Sequence, residues 1–146
     1  MIAGLDHIVV LVEDIGKGAA AYEALLGCAP SWQSAGDGAE RVLFTLDNMA
    51  VELMAPSGYS LAADRIRNLI GMSGEGLASI CFRTPDIGKM HRRLERVALK
   101  PEPVAEVESQ DSVSGAILHW KRTRAATELT RGVRMFFLEL ESERPR

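Results

Sequence analysis

Leu5, His7, Val9 and Leu11 fall on one side of an extended chain and Asp6, Ile8, Val10 and Val12 on the other, because successive side chains of a strand alternate between faces. Both sides are largely apolar, which predicts an interior strand packed above and below. The period then changes. After Asp14, Ile15, Ala19, Tyr22, Leu25 and Leu26 recur at helical spacing, with Asp14 suited to cap the helix and Gly27 to end it. Alternation returns beyond Pro30 in residues 31–34, 41–46 and 49–54, with a turn at Gly36 and Gly38 and another at Asp47-Asn48. Residues 1–56 therefore predict the order βαβββ.

The same order is predicted again after a connector, residues 57–75. There Ser60 can cap a short helix through Leu61, Ile66, Leu69 and Ile70, and Gly71, Gly74 and Gly76 break it. Strand 77–83 follows, then a helix capped by Asp86 with Ile87, Met90, Leu94 and Val97 facing inward, then strands 104–108, 116–122 and 133–140. The second unit spans 76–141, and the charged tail 142–146 reads as a frayed end or the start of a linker. The halves also match in letters. GLDHIVVLVEDIGK at 4–17 returns as GLASICFRTPDIGK at 76–89, aligning Leu5 with Leu77, Ile8 with Ile80 and Asp14 with Asp86. Such internal repetition marks a duplicated unit, so residues 1–146 are expected to form one domain of two modules, with Ile8, Val10, Ile80 and Phe82 beneath the helices. One mismatch bears on chemistry: His7 in the first copy is Ser79 in the second.

Composition narrows the function classes. The chain has 146 residues, 47% of them hydrophobic and 25% charged, which suits a soluble domain with a substantial core. No apolar run approaches the ~18 residues of a membrane span, and a net charge of −3 argues against a nucleic-acid partner. MIAGLDH has no basic stretch before an apolar one, so a cytoplasmic location is the expectation. Cys28 and Cys81 lack metal or redox spacing and read as reduced structural thiols, neither of them catalytic.

Two βαβββ units, with Leu5-Asp6-His7-Ile8-Val9-Val10 on the first strand and Ala50-Val51-Glu52-Leu53-Met54 on the fourth, resemble the vicinal-oxygen-chelate superfamily of glyoxalase I, methylmalonyl-CoA epimerase, extradiol dioxygenases and bleomycin-resistance proteins. The resemblance implies an α+β fold. Tandem modules would form an eight-stranded, concave mixed sheet with helices on its convex side and a small-molecule cavity, often with a divalent cation, on the other. In metal-binding members the first and fourth strands of each module each give one inward ligand, a His or Gln and a Glu, a mixed N/O set suited to Zn, Ni, Fe, Mn or Co. His7 and Glu52 fill the first pair. In the second, Ser79 is a poor ligand, and the fourth position depends on register. Anchoring the last strand on Gly132 sets Phe136 there, whereas matching 51–53 to 138–140 sets Glu139 there. Phe136 is preferred, and the two options place Glu139 on opposite faces of the sheet.

On this reading Glu52 serves as base or ligand, and a divalent metal is weakly held or absent, because two of four ligands leave the rest to water and substrate. Ser79 and Phe136 would complete the cavity wall, and Ser79 lacks the partners of a nucleophile. Met49, Met54, Met72, Met90 and Met135 read as core filler, with Met54 suited to an apolar ligand if it faces the cavity. Trp120, Lys121, Arg122, Arg124, Arg131 and Arg134 form a basic cluster. Arg122 and Arg134 could receive a carboxylate or phosphate with Trp120 stacking on the ligand, or the cluster is a solvated hairpin paired with Glu106, Glu108, Asp111 and Glu128. His119 and Trp120 alternate, so only one faces inward, and His91 is expected to be exposed. Two functions follow: a lyase, isomerase or dioxygenase acting on a small oxygenated substrate, or a metal-free protein that sequesters a small molecule. Exposed sheet edges suggest a homodimer.

Overall fold

Both copies of the Asp-Ile-Gly-Lys run start a helix. The Asp14 carboxylate accepts the Lys17 N–H at 2.9 Å and the Asp86 carboxylate accepts the Lys89 N–H at 3.0 Å, satisfying a donor that the first helical turn leaves open. In the computed structural model, which describes residues 1–142, these helices are α1 (Ile15–Leu26) and α3 (Ile87–Arg96). The strands are β1 (Gly4–Leu11), β2 (Trp32–Gly36), β3 (Ala39–Thr45), β4 (Ala50–Pro56), β5 (Gly76–Arg83), β6 (Ala105–Gln110), β7 (Ile117–Arg124) and β8 (Met135–Leu140), with α2 (Leu61–Ser73) between β4 and β5. They form one eight-stranded sheet in the order β2-β3-β4-β1-β5-β8-β7-β6. Each half of the sheet comes from one half of the chain. β1/β4 and β5/β8 are parallel, while β1 and β5 join the halves antiparallel. Ile8 pairs directly with Ile80, its repeat counterpart, so the pseudo-twofold passes between them. The expected α+β fold is borne out.

Apolar faces explain which side each helix takes. Ile15, Ala19, Tyr22 and Leu26 of α1 cover Val10, Val42, Phe44, Val51 and Leu53, with Ile8 packed alongside. Ile87, Met90 and Leu94 of α3 cover Phe82, Ala125 and Phe137; Ile80 is half-buried. The third helix behaves differently: Ile66, Leu69 and Ile70 of α2 pack on Val9, Leu11 and Met54, on the side of the sheet that Val9 and Met54 share with the cavity.

Several local expectations shift. Gly71 lies inside α2, and Gly74, at φ +76°, ends it. Leu25 and Val97 point to solvent, Val97 being 51% exposed, because α3 stops at Arg96 before another inward position is reached. Met72 is 82% exposed at the last turn of α2, not core filler. β6 begins and ends later than the pattern predicted, β8 begins at Met135, and a short 3-10 turn at Thr127–Thr130 lies between β7 and β8. Of the tail, residues 143–146 lie outside the described residues.

The sheet edges are also not simply open. At one end of β2 the Gln33 N–H donates to Asp111 Oδ1 at 2.9 Å, the Ser112 N–H donates to Gln33 O at 2.8 Å, and Trp32 Nε1–H donates to Ser109 Oγ at 2.9 Å. β2 and β6, the two outermost strands, are thus tied together and the sheet curls into a nearly closed barrel. Trp32 and Leu43 of one half meet Leu118 and Trp120 of the other. This removes part of the edge on which the homodimer expectation rested.

Candidate functional site

The concave face encloses a cavity of about 910 Å³. Its floor is set by strand register. Val9 pairs with Glu52 and Cys81 pairs with Phe136, and Val9 and Cys81 are repeat counterparts. Phe136 therefore stands where Glu52 stands in the other half. His7, Glu52, Ser79, Cys81 and Phe136 all line the cavity, together with Met54. Glu139 faces the other way, where its Oε1 accepts the Ile87 N–H at 2.9 Å and so joins the start of α3.

His7 is held by a residue the alternation rule assigned to the opposite face. The β1–β5 pairing steps from Leu5/Phe82 to His7/Cys81, which leaves Asp6 as an extra residue in β1. Such a bulge re-aims side chains. Asp6, 1% exposed, accepts His7 Nδ1–H at 2.7 Å on Oδ2, while Arg83 donates to Oδ1 from Nε at 3.1 Å and Nη2 at 2.8 Å. A carboxylate gripped by a guanidinium is an acceptor only, so the proton of the shared bond resides on Nδ1 and the Nε2 position is directed into the cavity. Nε2 lies 3.9 Å from Glu52 Oε2, beyond a hydrogen bond, with side-chain exposures of 12% and 20%. Both groups line the cavity and can meet the same bound molecule from its floor.

The basic cluster divides. Trp120 and Arg122 line the cavity. Arg122 lies over the Phe136 ring at 5.6 Å and Arg124 at 4.7 Å, so Phe136 serves as a platform for guanidinium groups as well as an apolar wall. Arg124 is further tied to Thr127 at 2.8 Å and to Glu102 at 4.0 Å. Arg134 is not among the cavity-lining residues; it precedes β8 and is half-buried. His119 faces outward, 3.9 Å from Glu108. Asp111 does not pair with the cluster. Its carboxyl is held below the ordinary 3.8, chiefly by the Ser114 hydroxyl and then by the Gln33 N–H, against the opposing effect of burial. His91, expected in solvent, is half-buried, with Nδ1 3.2 Å from Glu95 and no partner for Nε2 among the described residues.

Sequence reasoning missed Asp6, Arg83, Arg41, Trp32 and the place of Cys81 in the wall. Arg41 and Leu43 share a strand parity that would have signalled an inward Arg41; the bulge at Asp6 and the meeting of Trp32 with the far half leave no local signal.

The donors do not fit a closed divalent-metal centre. One imidazole and one carboxylate converge, and the matching positions hold a neutral hydroxyl and a phenyl; among the described residues no three His, Cys, Asp or Glu side chains converge.

A curled tandem βαβββ sheet with a His and a Glu on neighbouring strands at the floor of its cavity defines a protein of the vicinal-oxygen-chelate class. Residues 5–146 match the family model described as a glyoxalase-like domain, and the chain belongs to that family. No curated protein matches the sequence. Among solved structures, a methylmalonyl-CoA epimerase from Mycobacterium tuberculosis is similar at 20% identity and TM-score 0.74, over 94% of this chain and 88% of that one. A Streptomyces coelicolor methylmalonyl-CoA epimerase variant in complex with 2-nitronate-propionyl-CoA is similar at 15% identity and TM-score 0.78, over all of both chains. A hypothetical protein from Bacillus halodurans C-125 shows 19% identity and TM-score 0.74, over 97% of each chain. These likenesses concern the fold.

Proposed function

We propose that the protein is an isomerase-type enzyme that moves a proton on a small oxygenated substrate, with Glu52 as the base and His7 as its partner. The supporting observation is the Arg83–Asp6–His7 chain, which fixes an imidazole beside a carboxylate inside a cavity. A buried ion pair contributes little net stability, and here its effect is to orient His7. In the proposed step a C–H bond next to a carbonyl breaks, the proton goes to Glu52, and the bonding pair moves to the carbonyl oxygen as an enolate. Return of a proton from Glu52, or from His7 protonated at Nε2 and steadied by Asp6, re-forms the C–H bond. No step is routed through a metal; a divalent ion held by His7 and Glu52 would depend on water and substrate for its other ligands. Ser79 leaves room for the substrate above the floor, and Trp120 supplies a flat apolar wall. That two of the similar structures are, by name, epimerases agrees with this reading. The same reading retains the homodimer and the cytoplasmic location as parts of the proposal.

Deuterium exchange tests it. In D2O, 2-substituted malonyl thioesters and 2-hydroxy ketones followed by NMR should exchange the proton beside the carbonyl, and Glu52→Gln should slow this by about 100-fold or more. No exchange across the panel, or equal exchange in the variant, would overturn the reading.

A second reading, metal-free sequestration of an apolar or aromatic ligand, is favoured by the joined apolar surfaces of Trp32, Leu43, Leu118 and Trp120. Its ligand would be recovered unchanged and held equally well by Glu52→Gln.

A further inference from the structure

Arg41 on β3 pairs with Met54 on β4, and Arg122 on β7 pairs with Leu138 on β8. Met54 and Leu138 are counterparts, each two residues beyond Glu52 and Phe136 respectively. Arg41 and Arg122 thus occupy equivalent places in the two halves, and both line the cavity. Four strands lie between β3 and β7 in the sheet, so the two stand on facing walls of the curl.

Neither guanidinium has a carboxylate within 4.0 Å among the described residues. Arg41, half-buried, donates only to the Gly36 carbonyl, at 3.3 Å, and Arg122 rests on the Phe136 ring. Acidic residues also border the cavity: Asp37, Glu106 and Glu108 line it, none of them within 4.0 Å of either guanidinium, and Asp111 is engaged by Gln33 and Ser114. Glu52 faces His7 on the floor. Two guanidinium groups with no carboxylate in contact, on facing walls of the cavity, can each take an anion, and guanidinium forks match carboxylate or phosphate oxygens in pairs.

We infer that the cavity receives a small molecule bearing two anionic groups, carboxylate or phosphate, one taken by Arg41 and the other by Arg122, with its middle over the floor. Along the sheet the two residues are five strand spacings apart, about 24 Å at roughly 4.8 Å each; curvature shortens the direct gap, and the arginine side chains shorten it further. A ligand with charge at both ends meets this arrangement, whereas a single small anion satisfies one wall. That the middle carbon is the one deprotonated rests on the proposed function; the binding mode does not.

Binding separates the two. Calorimetry at fixed ionic strength would compare four- to six-carbon dicarboxylates, phosphonocarboxylates of equal length, and the corresponding half-amides. One of the dianion series should bind about tenfold or more tightly than its half-amides, and Arg41→Gln and Arg122→Gln should each abolish that preference while leaving the ligand-free melting temperature near that of the unaltered protein. Which series prevails tells carboxylate from phosphate. Glu52→Gln should retain the preference; if it does while proton exchange is absent from the unaltered protein, only the catalytic reading fails. Equal binding of dianions and half-amides, no binding of either, or a preference that persists in either arginine variant would overturn the inference.

Discussion

Asp6 is written in the sequence as an ordinary polar residue of an alternating strand, yet it connects Arg83 to His7 and so governs the one imidazole of the cavity floor. The two sides of this ion pair are unequal. Arg83 is 39% exposed at its side chain and Asp6 is fully buried, so a guanidinium that loses this pair can turn to water, while the carboxylate stays buried on its bond to His7. Arg83→Ala should therefore destabilise the fold by about 3–5 kcal/mol, and Asp6→Asn by less, although the latter also frees the orientation of His7. Urea unfolding of both variants checks the order; a larger loss for Asp6→Asn would contradict it. His7 and Glu52 were legible because their strands carry recognisable patterns. Asp6 was not, since a bulge changes which face a residue serves without altering the letters on either side of it.

At the scale of elements, the hairpin between β2 and β3 shows how a turn residue can be fixed by a distant helix. Asp37 and Gly38 both have positive φ, 52° and 77°, as a two-residue turn of this hand requires. Gly38 is under a second constraint. A Cβ there would lie 2.6 Å from the Ala63 backbone nitrogen and 2.8 Å from Ser60 Oγ, at the start of α2. Gly38→Ala should cost about 2–4 kcal/mol, from the left-handed backbone and the backbone clash together, and equilibrium denaturation measures it. A cost below 1 kcal/mol would mean that α2 gives way. The glycine was legible as a turn former, but its closeness to α2 was not, because residues 38 and 63 meet only after β4 has returned along the sheet. For the same reason α2 was readable as a helix while its packing on Val9, Leu11 and Met54 was not.

At the scale of the whole molecule, the tie between β2 and β6 turns an open sheet into a nearly closed barrel, and it has a pH dependence of known sign. The Ser114 hydroxyl, then the Gln33 N–H, holds the Asp111 carboxyl below 3.8. A group more acidic in the folded state contributes stability that is complete above its unfolded value, and that contribution is lost as pH falls from about 3.8 through the depressed folded value. Acidification below pH 4 should loosen the seam and expose Trp32, which is buried against it, shifting tryptophan emission to the red; Asp111→Asn should flatten this acid transition. An emission spectrum that stays constant down to global unfolding would show that the seam does not depend on Asp111.

The sequence by itself determined the duplication, the two βαβββ units and the capping aspartates, because each is written in local periodicity or in repeated letters; that His7 and Glu52 belong together was implied by the family resemblance of their strands. The tertiary structure decided what those periods do not encode. Pairing set Phe136, not Glu139, at the counterpart of Glu52, since strand register is a relation between segments. The curl of the sheet brought Arg41 and Arg122 to equivalent walls although they are 81 positions apart while the opening repeat is offset by 72; turns of unequal length between strands erase that equivalence from the sequence, and hydrogen-bonded pairing restores it.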